Sequence, residues 1–295
     1  YEILRCLVGS EMCIRDRCPP DGVLAKRDIV YLQQDDHTEL MDIFFPEKAK
    51  GMLPVIVDVH GGGWVYGNKE LNEYYCMELA KLGFVVCDIN YRLCPVTDLK
   101  GQVQDVTAAL QWIFDHIHQY GGDSEQISVT GDSAGAQLAF LVCAASANEA
   151  YRRSYEITSL SKPIKALGLT CPVSCLHEMA KSQDEMTREW MQVLYGGEPE
   201  QSSLWNCSDY ADILTDCKEL PSIYILTTKG DQKYYRQSLA LHDLMNRKQI
   251  EHVYREWESM ENKDLGHVFN VLYPACQDSR AANQEMVYFF LNVRR

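Results

Sequence analysis

A serine between small residues is the first place in this sequence where chemistry could occur. Gly131-Asp132-Ser133-Ala134-Gly135 follows the β-rich run Ile127 to Thr130 and precedes a segment rich in Ala and Leu. A strand that turns sharply into a helix strains the backbone at the corner, and flanking glycines remove side chains that would collide there. The corner lifts a hydroxyl to the carboxyl edge of a sheet and sets it at a helix N-terminus, where developing negative charge is favoured. Ser133 is therefore a candidate nucleophile for acyl transfer. Gly-x-Ser-x-Gly also recurs by chance, so its weight depends on what the rest of the chain supplies.

His60-Gly61-Gly62-Gly63-Trp64 supplies a partner, directly after the run Pro54 to Val59. Three adjacent glycines make poor helix or strand, and their backbone can approach a ligand closely. The N–H groups of Gly62 and Gly63, with that of Ala134, could hold an oxyanion. The bland alternative is a flexible turn. His60 reads as structural, fixing the loop by a side-chain hydrogen bond.

A serine nucleophile needs a base, and the base needs an orienting carboxylate. Asp231 lies in Lys229-Gly230-Asp231, just past the apolar run that begins at Ile223, and His267 lies past His252-Val253-Tyr254. Both fall where strands end, at the edge where Ser133 sits. His116 and His118 fall near a helix end, His242 on a helix, His252 inside a strand and His37 in a hairpin. His177, in a variable region, remains a rival base; Asp209, Asp212 and Glu258 remain rival acids. With a histidine base, activity should rise with pH near the imidazole pKa, about 6 to 7.

These positions need a scaffold, and the periodicity predicts one. Ile29 to Gln33 and Leu40 to Phe45 read as a hairpin around Asp35-Asp36-His37. Pro54 to Val59, Phe84 to Ile89, Ile127 to Thr130, Ala166 to Leu169, Ile223 to Leu226 and His252 to Tyr254 read as further strands. Helical spacing joins Val103, Val106, Ala109, Leu110 and Ile113; then Leu138, Leu141 and Val142; then Leu239, Leu241 and Leu244; and Met286 to Leu291 closes the chain. Near-continuous apolar strands alternating with helices imply an α/β fold. Its sheet should have eight strands, mostly parallel and covered on both faces, with the N-terminal hairpin at an antiparallel edge. One domain over residues 21–295 is the economical reading. Residues 176–212 are too long for a simple crossover and form a possible pocket-covering insertion. Met179, Trp190, Met191, Leu194, Tyr195 and Trp205 lie in it; such residues at helical spacing are ordinarily core. Trp64, Tyr66, Trp190 and Trp205 are nevertheless candidate substrate-binding residues.

Bulk composition narrows the partners. The chain has 295 residues, 46% hydrophobic and 24% charged, with 28 basic against 42 acidic side chains and a net charge of −14. Phosphate recognition rests on clustered Lys and Arg, which the sequence lacks, so nucleic acid is not expected as a partner. The 12 cysteines do not read as a disulfide framework, because Cys87 and Cys143 lie in apolar core runs and the chain is far larger than stapled secreted domains. Cys171 and Cys175 have no companion pair at zinc spacing, so neither metal nor cofactor is expected. A reduced, cytoplasmic protein follows. Leu7 to Arg17 is charged throughout, hence neither signal peptide nor membrane helix, and resembles a translated sequencing-adaptor read. Residues 1–20 are expected to lie outside the fold as a non-native extension that replaces the true N-terminus. No membrane partner is expected, and nothing in the sequence sets the oligomeric state.

Taken together, His60-Gly61-Gly62-Gly63-Trp64, Asn90-Tyr91-Arg92-Leu93, Tyr120-Gly121-Gly122-Asp123 and Gly131-Asp132-Ser133-Ala134-Gly135 resemble the bacterial hormone-sensitive-lipase-like esterases of the α/β-hydrolase superfamily. The resemblance covers roughly residues 27 to 293. It implies a Ser133–His267–Asp231 triad, oxyanion donors Gly62, Gly63 and Ala134, a structural Arg92–Asp105 pair, and support of the elbow by Asp132. The sequence departs from that pattern at Asp231-Gln232-Lys233, where the family has Asp-Pro-Leu. It also lacks the long N-terminal helical cap, which favours the lidless branch of acetyl-, feruloyl- and kynurenine formamidase-like enzymes. The function so implied is a serine hydrolase cleaving a small-molecule carboxylic ester. Its competitors are an arylformamidase or exopeptidase on the same machinery, and a non-catalytic ligand-binding homologue.

Overall fold

The computed structural model describes residues 19–34, 36–217, 219–261 and 264–293. The adaptor-like stretch and Asp35 of the predicted hairpin turn lie outside them.

The chain enters through β1 (Val23–Gln33) and β2 (Thr38–Pro46), then β3 (Leu53–Val59), α1 (Glu73–Lys81), β4 (Val85–Ile89), α2 (Leu99–His116), β5 (Gly122–Asp132), α3 (Ala134–Ala147) and α4 (Glu149–Tyr155). It continues with β6 (Ala166–Thr170), α5 (Leu176–Ala180), α6 (Glu185–Tyr195), α7 (Tyr210–Asp216), β7 (Ser222–Thr227), α8 (Tyr235–Arg247), β8 (His252–Glu256), α9 (Phe269–Leu272) and α10 (Gln277–Asn292). The strands form one eight-stranded sheet in the order β1-β2-β4-β3-β5-β6-β7-β8. β1 pairs antiparallel with β2 and β2 with β4, while the remaining neighbours are parallel. This is the α/β-hydrolase arrangement that the sequence implies.

Period-2 alternation assigns each strand residue to a face. Val55, Val57 and Val59 of β3 join the core under α2, α3 and α8, while Ile56 joins Phe44, Val86, Tyr224 and Leu226 under α1 and α10. The central strands are therefore apolar on both sides, which is why the sequence displays them plainly. β1 differs. It starts six residues before the predicted strand and is mostly exposed along its length, so its first half carries no apolar pattern. The predicted helices all form, but α1 was not singled out in the sequence, although Tyr75, Cys76, Met77, Leu79 and Ala80 are buried.

One feature of the α1 face is unusual. Asp42 of β2 stands opposite Asp88 of β4, and Asp88 opposite Asp58 of β3, so three buried carboxyls cross adjacent strands in one row. Lys69 Nζ contacts Asp42 Oδ1 at 3.0 Å, and Asn72 Nδ2 donates to Asp58 Oδ2 at 2.9 Å. The Cys76 thiol lies within 4.8 Å of both the Asp58 and the Asp88 carboxyls. Burial first, and then the charge of Asp132 on Asp58 and of Asp58 and Asp42 on Asp88, pushes Asp58 up to about 8 and Asp88 well above the ordinary carboxylate range.

Candidate active site

Ser133 stands between β5 and α3 at φ 53°, ψ −117°. A β-carbon on Gly131 would meet the Gly135 carbonyl at 2.6 Å, and one on Gly135 would meet Val59 O at 1.9 Å. The elbow therefore closes only with glycine at both positions. Ser133 N donates to Thr170 O at 2.9 Å, tying the corner to the end of β6. The serine is buried but lines a cavity of about 140 Å³.

The glycine loop runs along the same cavity. Gly61 N donates to Asp132 Oδ1 at 2.9 Å, and the same oxygen accepts from Asn72 Nδ2 at 2.8 Å. Asp132 thus ties the loop to the elbow. Gly62 and Gly63 adopt φ of 114° and 58°, a region open to glycine at little cost. Among the described residues, no hydrogen bond engages the N–H groups of Gly62, Gly63 or Ala134. Three donors are therefore available beside the serine.

His60 lies behind this loop, fully buried and stacked on Tyr91 at 4.4 Å between ring centroids. Its Nδ1–H donates to Gly61 O at 2.7 Å, and burial depresses its pKa to about 4. Neutral imidazole is the form that fits. Beneath, Arg92 grips Asp105 through Nε to Oδ2 and Nη2 to Oδ1, both at 2.8 Å.

Across the cavity, His267 Nδ1 lies 2.8 Å from Asp231 Oδ2, and Asp231 Oδ1 accepts from Tyr234 N at 3.0 Å. Burial of Asp231 opposes its ionised form. The hydrogen bond and charge of His267, the Tyr234 amide and the Cys171 thiol outweigh that and hold its pKa below the ordinary value. Cys171, at φ 45°, places its sulfur within 4.8 Å of both the Asp231 carboxylate and the His267 ring. His267 shares the cavity wall with Ser133. The rivals are occupied elsewhere: Asp209 caps α7 and holds His177 N, and His177 stacks on Trp205 at 3.8 Å.

The four aromatic candidates divide. Tyr66 and Trp190 line the cavity. Trp64 and Trp205 do not, and the expectation for them is corrected. Trp64 is 1% exposed and its Nε1 donates to Gln137 Oε1 at 3.1 Å, so it buttresses the glycine loop from behind. Trp205 packs between His177 and Tyr195, inside the 176–212 segment. Met179, Met191, Leu194 and Tyr195 of that segment are buried core. Val65, Leu71, Asn72, Lys233, Tyr234, Val268, Val271 and Leu272 also line the cavity, and none of them is among the candidates the sequence offers. Lys233 carried a signal in retrospect, as it stands where the family pattern has leucine.

The BD-FAE family model matches residues 41–245. Among curated proteins, the chain is 32% identical over 114 residues to the probable isoprenylcysteine alpha-carbonyl methylesterase ICMEL1 of Arabidopsis thaliana, covering 39% of this chain and 24% of that protein. It is 28% identical over 185 residues to the probable carboxylic ester hydrolase LipM of Mycobacterium tuberculosis, covering 61% of this chain and 42% of LipM. The matches thus span less than half of these relatives' lengths. Among solved structures, esterase B from Lactobacillus rhamnosis superposes with a TM-score of 0.88 at 27% identity, over 99% of this chain and 92% of that one. The form of esterase B inhibited by a C4-C4 SN3 tributyrin phosphonate gives a TM-score of 0.89 at 28% identity, over the same shares.

Proposed function

Because this chain belongs to the BD-FAE family, a group of the α/β-hydrolase fold, we propose that it is a carboxylic ester hydrolase working through Ser133, His267 and Asp231. The observation that carries this reading is the 2.8 Å contact of His267 Nδ1 with buried Asp231, on a wall shared with the strained Ser133. With Nδ1 engaged, the imidazole has Nε2 left to take the Ser133 proton as the hydroxyl attacks an ester carbonyl. The N–H groups of Gly62, Gly63 and Ala134 hold the oxyanion of the tetrahedral intermediate. His267 then protonates the leaving alcohol, and water repeats the sequence on the acyl-enzyme.

Short acyl groups suit the site best. Its volume of about 140 Å³ is below the roughly 300 to 1,000 Å³ of pockets that enclose drug-sized ligands. Esterase B, which accepts a tributyrin phosphonate inhibitor, points the same way. A feruloyl group demands more room. A reducing compartment belongs to the same reading, since the nine cysteines described, most of them buried, stand as free thiols.

The test uses the full chain and its Ser133→Ala variant. The wild type should hydrolyse p-nitrophenyl acetate and label with a fluorophosphonate probe, and the variant should do neither. Turnover that survives the substitution would overturn the assignment, and absence of both in the wild type would favour a non-catalytic protein.

A further inference from the structure

Lys233 is the one lysine or arginine among the described residues that line the cavity. It comes two residues after Asp231 and is an exposed residue at the cavity's mouth. Its ammonium is turned onto aromatic faces, with Nζ 5.1 Å from the Trp190 ring centroid and 5.2 Å from that of Tyr234. Trp190 in turn presses on the oxyanion loop, since a β-carbon on Gly63 would meet its ring at 2.0 Å. One aromatic ring therefore separates the ammonium from the loop that would hold the reacting carbonyl.

The charges around Lys233 leave it available. Asp184, the N-cap of α6, and Asp231 act on it through space, but no carboxylate among the described residues bonds it. The Asp231 carboxylate is committed to His267 and the Tyr234 amide. Asp132 is committed to Gly61 N and Asn72. The rest of the wall is largely apolar: Val65, Leu71, Val268, Val271 and Leu272. With a net charge of −14, the molecule as a whole repels anions at long range. A lone ammonium held over two rings at the mouth is the local exception.

We propose that Lys233 is a specificity-determining residue that binds a carboxylate carried by the ester substrate, so that the preferred substrates are short esters bearing an anionic group. This rests on the ester-hydrolase reading of Ser133. The carboxylate sits on either the acyl or the alcohol portion, and the rings of Trp190 and Tyr234 hold the ammonium in place to meet it. Lys233 takes no part in proton transfer.

The test compares matched pairs with the full chain. Hydrogen p-nitrophenyl glutarate against p-nitrophenyl butyrate places the charge on the acyl side; 4-acetoxybenzoate against 4-acetoxybenzamide places it on the alcohol side. In Lys233→Gln the anionic-to-neutral ratio of kcat/KM should fall about fivefold to tenfold for one pair, mainly through KM, the size expected of one charge contact near a protein surface. Lys233→Arg should keep the ratio, and 1 M NaCl should shrink the wild-type ratio towards that of Lys233→Gln. If Lys233 only braces Trp190, both members of each pair will lose rate together; an unchanged ratio in Lys233→Gln overturns the proposal. The neutral esters separate this failure from failure of the underlying reading: wild-type turnover of p-nitrophenyl butyrate that disappears in Ser133→Ala keeps the reading, whatever the ratio does.

Discussion

His267 Nδ1 lies 2.8 Å from Asp231 Oδ2, and Asp231 turns its other oxygen to the Tyr234 amide at 3.0 Å. The carboxylate is thereby fixed by its own loop before it orients the imidazole. Asp231 comes from the loop after β7 and His267 from the segment after β8, neighbouring strands whose parallel pairing brings both ends to one edge.

That contact predicts the outcome of Asp231→Asn. The amide oxygen can still accept from Tyr234 N, so the fold should persist. The amide no longer stabilises the imidazolium and favours the wrong tautomer, and kcat should fall by about 10⁴, the loss that the same change causes in Ser-His-Asp enzymes. Steady-state hydrolysis of p-nitrophenyl acetate measures it; a loss under tenfold would remove Asp231 from the triad.

The elbow glycines give a steric prediction. Gly135→Ala brings a β-carbon to 1.9 Å from Val59 O, whereas Gly83→Ala at φ 98° meets nothing within 4 Å. The first should cost about 3 kcal/mol or more through overpacking, the second about 1 kcal/mol of backbone strain. Urea unfolding of the two variants should rank them in that order.

Buried Asp105 depends on one partner. Arg92→Met removes both side-chain hydrogen bonds to it and leaves a carboxylate without its cation, at a cost of about 3 to 5 kcal/mol. Adding Asp105→Asn should recover much of that loss. Additive behaviour in the double-mutant cycle would contradict the pairing.

Stability should fall on the acid side because of His60. Its folded pKa, about 4, lies below the unfolded 6.5, so the unfolded chain binds the proton first. The contribution is complete above pH 6.5 and is lost as pH falls towards 4, by about 3 kcal/mol in all. Chemical denaturation from pH 7 to 4 reads this slope; His60→Phe, which still stacks on Tyr91, should flatten it.

On the alkaline side the sign reverses. Asp58 is raised by burial and by Asp132, and Asp88 by burial and by Asp58, so the folded state holds protons that the unfolded chain has released. Their contribution is complete below about pH 4 and is lost as pH rises towards their folded pKa values. Asp88→Asn should reduce the decline in stability between pH 5 and 8; an unaltered decline would mean that the pair does not govern it.

The sequence by itself determined the parts whose chemistry is local. Only glycines close the corner around Ser133 and free the backbone of Gly62 and Gly63, and a β-branched run ending in a polar loop marks the strand ends that carry Asp231 and His267. These are demands of a few consecutive residues, so they leave a trace in the order of residue types. The central strands were legible for a similar reason, being apolar on both faces, whereas the exposed first half of β1 left none. Tertiary structure alone decided which aromatic residues face the cavity. Trp64 and Trp190 both adjoin the glycine loop, but packing turns one against Gln137 and the other into the cavity wall, while Trp205 is drawn to His177. It also decided that Asp42, Asp88 and Asp58 share one row, since strand register joins positions far apart in the chain. And it set Lys233 against Trp190, by the docking of α6 over the loop after β7, a contact between elements that no periodicity within either one encodes.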